Sequence, residues 1–268
     1  MEIIIKSLFK KELKSNYKIL LIFMAVLTLY CSIIIYMYTP GFKANLEQIS
    51  NSMGETFSAF GMSDFGTNLI QFMASYLYGF ILIAFPMVFI IIISSRLMVK
   101  YVDKTSASYL LSSPHKRVSI ATNQGLFFIF SIFLLFFYVF ILSVCVCQVM
   151  FKDELNIEKF IVLNLGLLSL MIFLSGLCFM FSFALNESKT ATGLSSAFLI
   201  GFLLIKMLSE TGDKITWLKY LTPLTLFNPK KIIEYDTLSI VCFLILLVFG
   251  LLFYFLGILI FTKKDIHT

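Results

Sequence analysis

Charged residues are scarce in this sequence. Asp, Glu, Lys and Arg make up 13% of its 268 residues, about half the share that is usual in a soluble domain. So few charges could not cover the surface of a water-soluble globule of this size. The shortage excludes an ordinary soluble protein, and the 59% hydrophobic content indicates that lipid solvates much of the chain.

Residues that carry catalytic chemistry are also few. The two histidines, His115 and His267, are far apart and have no HExxH or triad spacing around them. No GxxxxGK[ST] phosphate-binding loop is present, and the apolar runs contain no paired carboxylates or metal-ligand cluster. We therefore predict no catalytic residue, no metal site and no cofactor on this chain, and we expect no nucleic-acid partner.

The cysteines do not suggest a disulfide framework. All of them fall inside apolar runs, where a free cysteine behaves as a small apolar residue. We interpret the following residues as packing residues of the spans: Cys31, Cys145, Cys147, Cys178 and Cys242.

Long apolar runs are what the sequence has in abundance. A bilayer core of about 30 Å requires about 20 apolar residues per helix. Six runs reach that length, approximately at residues 19–38, 76–95, 125–147, 161–183, 191–208 and 238–260. The sequence therefore predicts an all-α integral membrane protein with about six transmembrane helices.

The distribution of Lys and Arg predicts the orientation of these helices. Thirteen of these residues lie in the segments on the side of the termini, against seven in the segments on the other side. Because basic residues are enriched in cytoplasmic loops, we expect both termini to be cytoplasmic. The expected location is the plasma (cytoplasmic) membrane, which the chain would cross several times.

The N-terminal segment has helix signals of its own. Residues 1–18 combine an apolar stripe with lysines at i, i+4 and i+8, namely Lys6, Lys10 and Lys14. This pattern predicts an amphipathic interfacial helix in front of a six-helix transmembrane domain at residues 19–268.

Two connecting segments also carry helix signals. In the loop 96–124, Ser113 is a good N-cap and Pro114 suits a first helical turn. This predicts a short helix, a corner and a second helix that runs into the third span, with an ordinary connection as the alternative. In the outer segment 212–237, prolines leave apolar stretches that are too short to span a membrane. That segment therefore predicts interfacial or re-entrant helices.

The fifth run contains two distinctive features. Gly193, Ala197 and Gly201 form a stripe of small residues, which permits close helix packing either within the chain or in a dimer. Lys206 is the charged residue of the predicted spans, and we expect its side chain to extend to the outer interface. Contact with a substrate or a gate is the alternative for Lys206.

The predicted spans contain no Asp or Glu. A proton-coupled carrier is expected to bury at least one such carboxyl group. Its absence argues against an ion-gradient-driven carrier and indicates that the energy comes from elsewhere or that the protein performs no pumping.

These segments, in this order, resemble the permease subunits of type-2 ABC exporters over the whole chain. The best local match is residues 109–117, YLLSSPHKR, which resembles the Leu-Leu-Ser-x-Pro-x-x-Arg stretch of that family's cytoplasmic coupling helix. The resemblance implies that contact with an ATPase involves Asp103, Tyr109, Leu110, Leu111, Pro114, His115, Lys116 and Arg117.

The resemblance also implies partners. It implies a separate ATP-binding cassette subunit, which would hold ATP and Mg²⁺, and a second permease chain, identical or related, in a bacterial cytoplasmic membrane. Spans without fixed charge favour an amphipathic or hydrophobic substrate such as an antimicrobial peptide, a drug or a lipid-like molecule. An ion-gradient-driven secondary carrier and a non-transporting assembly or sensor subunit remain as alternatives.

Overall fold

The protein is described by a computed structural model that covers residues 5–39, 59–60, 68–102, 117–185, 187–211 and 213–263. None of these residues forms a strand. Six helical segments are long and apolar enough to cross a membrane. The structure thus confirms the all-α architecture and the six apolar helices that the sequence predicts.

The helices follow one another along the chain with short connections in the described ranges. In chain order they are α1 (Lys6–Met37), α2 (Leu69–Tyr76), a π-helical turn (Leu77–Ile81), α3 (Leu82–Val102), α4 (Arg117–Met150), α5 (Ile157–Ala184), α6 (Ser188–Thr211), two 3₁₀ helices (Asp213–Leu221 and Pro223–Leu226), α7 (Pro229–Ile233) and α8 (Thr237–Lys263).

Helix α1 is continuous over 32 residues. Residues 6–18, predicted as a separate interfacial helix, form its first turns, and no helix end occurs at the predicted boundary. The continuity has a physical reason, because the segment contains no proline or glycine that would end a helix.

Helix α1 lies along α4. Near its start, the ring of Phe9 packs edge-on against the rings of Phe127 and Phe130, with centroids 5.5 Å from each. Further along, the hydroxyl oxygens of Thr28 and Tyr138 lie 2.6 Å apart. Aromatic and hydrogen-bonding contacts therefore join these two helices at separate levels.

The second membrane-length segment is irregular in its middle. Helix α2, the π turn and α3 follow each other directly, and Pro86 lies inside α3. Proline has no N–H and cannot complete the helical hydrogen bond to the carbonyl four residues earlier. A π turn also alters the helical hydrogen-bond pattern. The π turn and Pro86 thus lie in the same stretch of backbone, residues 77–86, which includes Gly79.

Helices α5 and α8 form the closest helix pair. A methyl group added at Gly176 of α5 would lie 2.5 Å from the carbonyl oxygen of Gly250 on α8, and one added at Gly250 would lie 2.8 Å from the backbone nitrogen of Phe173. The Tyr254 hydroxyl donates to Ser175 Oγ at 2.8 Å beside this crossing. Glycine is needed here because the two backbones touch.

Helix α5 is the central helix of the bundle. In its most apolar window 67% of the residues are buried, against 22% in α6. It packs against α8, α3, α4 and α6. The less buried helices consequently present apolar faces outward, as helices solvated by lipid do.

Candidate functional site

Most of the predicted coupling residues lie outside the described residues, namely Asp103, Tyr109, Leu110, Leu111, Pro114, His115 and Lys116. Arg117 is described and is the first residue of α4. Helix α3 runs to Val102, so both flanks of the predicted 96–124 loop belong to long helices. The structure therefore describes the two helices, α3 and α4, on either side of this segment.

The segment is followed directly by a joint between α1 and α4. Ile5 and Ile120 are both buried and pack together, with Leu8 against them. One turn further on, the Phe9 ring covers Phe127. The start of α4 is consequently held by the first turns of α1.

Buried polar groups lie in the same joint. The carboxylate of Glu12, which is 1% exposed, accepts hydrogen bonds from Gln124 Nε2 at 3.3 Å and from Asn16 Nδ2 at 3.4 Å. Asn123 is fully buried, and neither atom of its amide group has a hydrogen-bond partner within the described chain. Polar contacts thus cross between α1 and α4 beside the apolar contacts of Ile5, Ile120 and Phe9.

Glu12 is a buried carboxylate that lies outside the predicted spans. The predicted spans lack carboxylates, and this absence argued against a proton-coupled carrier. The structure nevertheless buries Glu12 within the continuous helix α1. Sequence analysis did not consider Glu12, because the predicted boundary of the first span excluded the turns that contain it.

Lys206 is the second buried polar centre. Its side chain is 6% exposed and crosses to the π turn, where its ammonium donates a hydrogen bond to the carbonyl oxygen of Gly79 at 3.0 Å. Glu210, one helical turn further along α6, interacts electrostatically with it. The side chain is therefore directed to the neighbouring helix, and its extension to the outer interface stays a prediction.

A cavity of about 360 Å³ adjoins Lys206. Its walls come from α2, the π turn, α6, both 3₁₀ helices and α7. Lys206, Glu210, Lys219 and Lys230 supply its ionisable side chains. Lys219 is exposed and Lys206 is buried, so positive charge extends from the surface into the protein.

The segment between α6 and α8 is fixed over this cavity by side-chain hydrogen bonds. Thr222 Oγ1 donates to the Phe202 carbonyl oxygen of α6 at 3.1 Å and accepts from the Leu224 amide at 3.3 Å. Asn228 Oδ1 accepts from the Lys231 amide at 3.3 Å. The Asn228–Pro229 pair thus caps α7, since Asn is a favoured N-cap and proline fits the first helical turn.

The small-residue stripe of α6 makes no close contact within the described chain. A methyl group added at Gly193 or Gly201 would meet nothing within 4 Å, and Ala197 is exposed. The stripe therefore does not serve helix packing in the described part of this chain.

All five cysteines are free thiols. Cys31, Cys147 and Cys178 are buried, whereas Cys145 is exposed. The described residues contain no group of three His, Cys, Asp or Glu side chains that could hold a metal ion. Among the described residues, the charged side chains that the structure buries are Glu12 and Lys206.

No family model matches this chain, and a search of curated proteins finds no match. The interpretation of the two polar centres therefore depends on their geometry. Each centre places a buried polar group where two helices meet. Such a group can bind a ligand or transmit a movement from one helix to the other.

Sequence analysis missed Glu12 and Glu210 as candidates. A signal for Glu12 existed, since Phe9, Glu12 and Asn16 lie at helical spacing on one face. Glu210 follows Lys206 by four residues but lies beyond the predicted end of the fifth span. Both residues lie just outside the predicted spans, where a buried carboxylate was not expected.

Proposed function

We propose that this chain is the permease subunit of an ATP-driven ABC exporter. It would form a translocation path for an amphipathic or hydrophobic molecule, and a separate ATP-binding subunit would hold ATP and Mg²⁺. A second permease chain would complete the path in the bacterial cytoplasmic membrane, with both termini in the cytoplasm. The resemblance of residues 109–117 to a coupling helix motivates this proposal.

The observation that carries the proposal is the joint between α1 and α4. Helix α4 has 34 residues and is about 51 Å long, well beyond a hydrocarbon core of about 30 Å. Its first turns extend from the coupling segment and pack on α1 through Ile5, Ile120 and Phe9. A force applied to residues 103–116 would therefore reach two membrane helices together.

The polar contacts of this joint suit a movable element. Hydrogen bonds at 3.3 Å and 3.4 Å on Glu12 are long, and the buried Asn123 amide lacks partners within the described chain. A buried polar group that is unsatisfied in one arrangement can gain partners in another. An ATP-driven transporter requires such a two-state joint.

The exposed stripe of α6 supports a second permease chain. Gly193 and Gly201 have open space beside them, and Phe198, Ile200 and Leu204 are exposed on the same helix. Small residues on an exposed helix face permit close approach of another helix in a membrane. We assign this face to the permease–permease contact.

The first experiment is purification of the tagged chain from its native membrane, followed by identification of the proteins that accompany it. The proposal requires a soluble protein with a phosphate-binding loop and ATPase activity. Recovery of the chain alone, also after crosslinking in intact cells, would contradict it.

A charge reversal at each end of α4 then tests the coupling assignment. We expect Arg117→Glu, combined with Pro114→Gly, to abolish transport-coupled ATP hydrolysis while insertion into the membrane persists. Lys152→Glu, just beyond the opposite end of α4, is the matched control and should retain coupling. Equal coupling in both variants would show that the 103–117 segment does not contact the ATPase.

Glu12 favours an ion-gradient-driven secondary carrier as a second candidate. A buried carboxylate is the group that proton-coupled carriers use, and Glu12 is 1% exposed. This candidate predicts transport driven by a proton gradient in vesicles without ATP, with loss of that transport in Glu12→Gln. Transport that requires ATP would exclude it.

A further inference from the structure

The cavity beside Lys206 has an excess of positive charge. Lys206, Lys219 and Lys230 face a single carboxylate, Glu210, among its lining residues. At neutral pH three lysines and one glutamate leave a formal excess of two positive charges. Lys206 is buried, Glu210 and Lys230 are half-buried and Lys219 is exposed, so an anion that enters the cavity from the surface would meet an excess of positive charge along its way.

The ammonium group of Lys206 has more hydrogen-bond donors than the described residues have acceptors for it. An ammonium group donates up to three hydrogen bonds, and the described residues supply one acceptor, the Gly79 carbonyl oxygen at 3.0 Å. The side chain is nevertheless 6% exposed. The remaining donors of Lys206 are therefore available to a ligand in the adjoining cavity.

The surroundings of the cavity combine charge with apolar surface. Leu208 is 52% exposed, Trp217 60% and Leu221 55%, and all three belong to the helices that bear Lys206 or Lys219. The helices that supply the cavity lysines therefore also carry exposed apolar surface, which suits an amphiphile with an anionic head. Trp217 and Tyr220 are residue types that favour the membrane interface.

We propose that this cavity binds a phosphate group, carried either by a lipid-like amphiphile or by a free phosphate. A phosphate monoester has about two negative charges at neutral pH, which matches the charge excess of the lining side chains. Lys206 holds the phosphate from the floor of the cavity, and Lys230 holds it nearer the surface. Glu210 limits the affinity by repelling the anion, which allows release.

The test uses the purified full chain in detergent, without ATP or a partner protein, so its outcome is independent of the exporter proposal. Trp217 is the single tryptophan of the chain, and it shares a 3₁₀ helix with Lys219. Its fluorescence is measured while inorganic phosphate, dihexanoyl phosphatidic acid or uncharged dihexanoylglycerol is added. The first two probes separate a free phosphate from a lipid headgroup.

We expect saturable binding of at least one phosphate-bearing probe. Lys206→Gln and Lys230→Gln should each raise its Kd about tenfold, the effect of losing one charge-assisted hydrogen bond. Glu210→Gln should lower the Kd, because it removes the repelling carboxylate. Lys231→Gln is the matched control, since Lys231 is exposed on the same short helix and is not a cavity residue.

The identity of the binding probe assigns the source of the phosphate. Binding of phosphatidic acid alone supports a lipid headgroup, and binding of inorganic phosphate of similar strength supports a free anion. The proposal is overturned if neither binds, if dihexanoylglycerol binds as tightly as phosphatidic acid, or if both lysine variants keep the wild-type Kd. Lys230→Gln decides the outcome if Lys206→Gln cannot be recovered folded.

Discussion

Single glycines determine how closely two helices of this bundle approach. Gly176 and Gly250 bring the backbones of α5 and α8 into contact, whereas Gly193 of α6 has open space beside it. The same residue type therefore has a packing role at one position and no contact within the described chain at another.

We expect Gly176→Ala to lower the free energy of unfolding by about 1–3 kcal/mol, because the added methyl group would overlap a backbone oxygen that cannot rotate away. Unfolding of the monomer in detergent measures this loss. Gly193→Ala is the matched control and should be neutral or slightly stabilising, since alanine favours a helix. Equal losses in both variants would contradict the close α5–α8 contact.

The buried carboxylate of Glu12 provides a second test with single residues. Glu12→Ala removes an acceptor of the Gln124 and Asn16 hydrogen bonds, so we expect a loss of about 1–3 kcal/mol in unfolding free energy. Lys11→Ala changes an exposed neighbour on the same helix and should shift stability by less than about 0.5 kcal/mol. A neutral Glu12→Ala variant would show that the joint does not depend on this carboxylate.

At the scale of elements, the connection between α6 and α8 is organised by its own side chains. Thr222 ties the connection to the Phe202 carbonyl of α6, and Thr225 Oγ1 donates to the Lys219 carbonyl oxygen at 2.6 Å. Asn228 then starts α7. These local bonds help to place Lys219 and Lys230 in the lining of one cavity, although neither short helix would be stable alone.

Removal of the Thr222 hydroxyl should loosen this connection. In Thr222→Val we expect hydrogen exchange of residues 213–226 to accelerate about tenfold, the effect of losing about 1–1.5 kcal/mol of local stability. Mass spectrometry of deuterated peptides measures it. Thr211→Val is the matched control, because its hydroxyl bonds only within α6, to the Met207 carbonyl. Unchanged exchange in Thr222→Val would exclude the anchoring role.

At the scale of the whole molecule, helix lengths determine which connections lie on opposite sides of a membrane. Helix α5 has 28 residues and is about 42 Å long, more than the hydrocarbon core of about 30 Å. The turn that precedes it and the turn that follows it must therefore face different compartments if α5 spans the bilayer. The lysine distribution predicts that the first of these turns is outside.

Cysteine labelling tests this topology. In a variant that lacks the five native cysteines, we expect an impermeant maleimide to label Asp153→Cys in intact cells and to leave Glu187→Cys unlabelled. Both positions are exposed in the structure, so both should react once the membrane is permeabilised. Labelling of Glu187→Cys in intact cells would reverse the predicted orientation.

The sequence by itself determined the number and type of the membrane-length helices, because length and hydropathy are local properties of a chain. It likewise determined the start of α7, since an Asn–Pro pair satisfies a helix end without distant residues. The sequence was less informative about where each helix ends, because a helix can continue through polar residues as well as apolar ones. Helix α1 illustrates this by running through the predicted boundary near residue 18.

Only the tertiary structure decided which polar residues became sites. Glu12 meets Gln124 across 112 positions of sequence, and Lys206 meets Gly79 across 127. It also decided that Gly176 lies in a helix contact whereas Gly193 faces outward. The physical reason is the same in each case: burial of a side chain depends on neighbours that are brought together by packing, and no local pattern contains those neighbours.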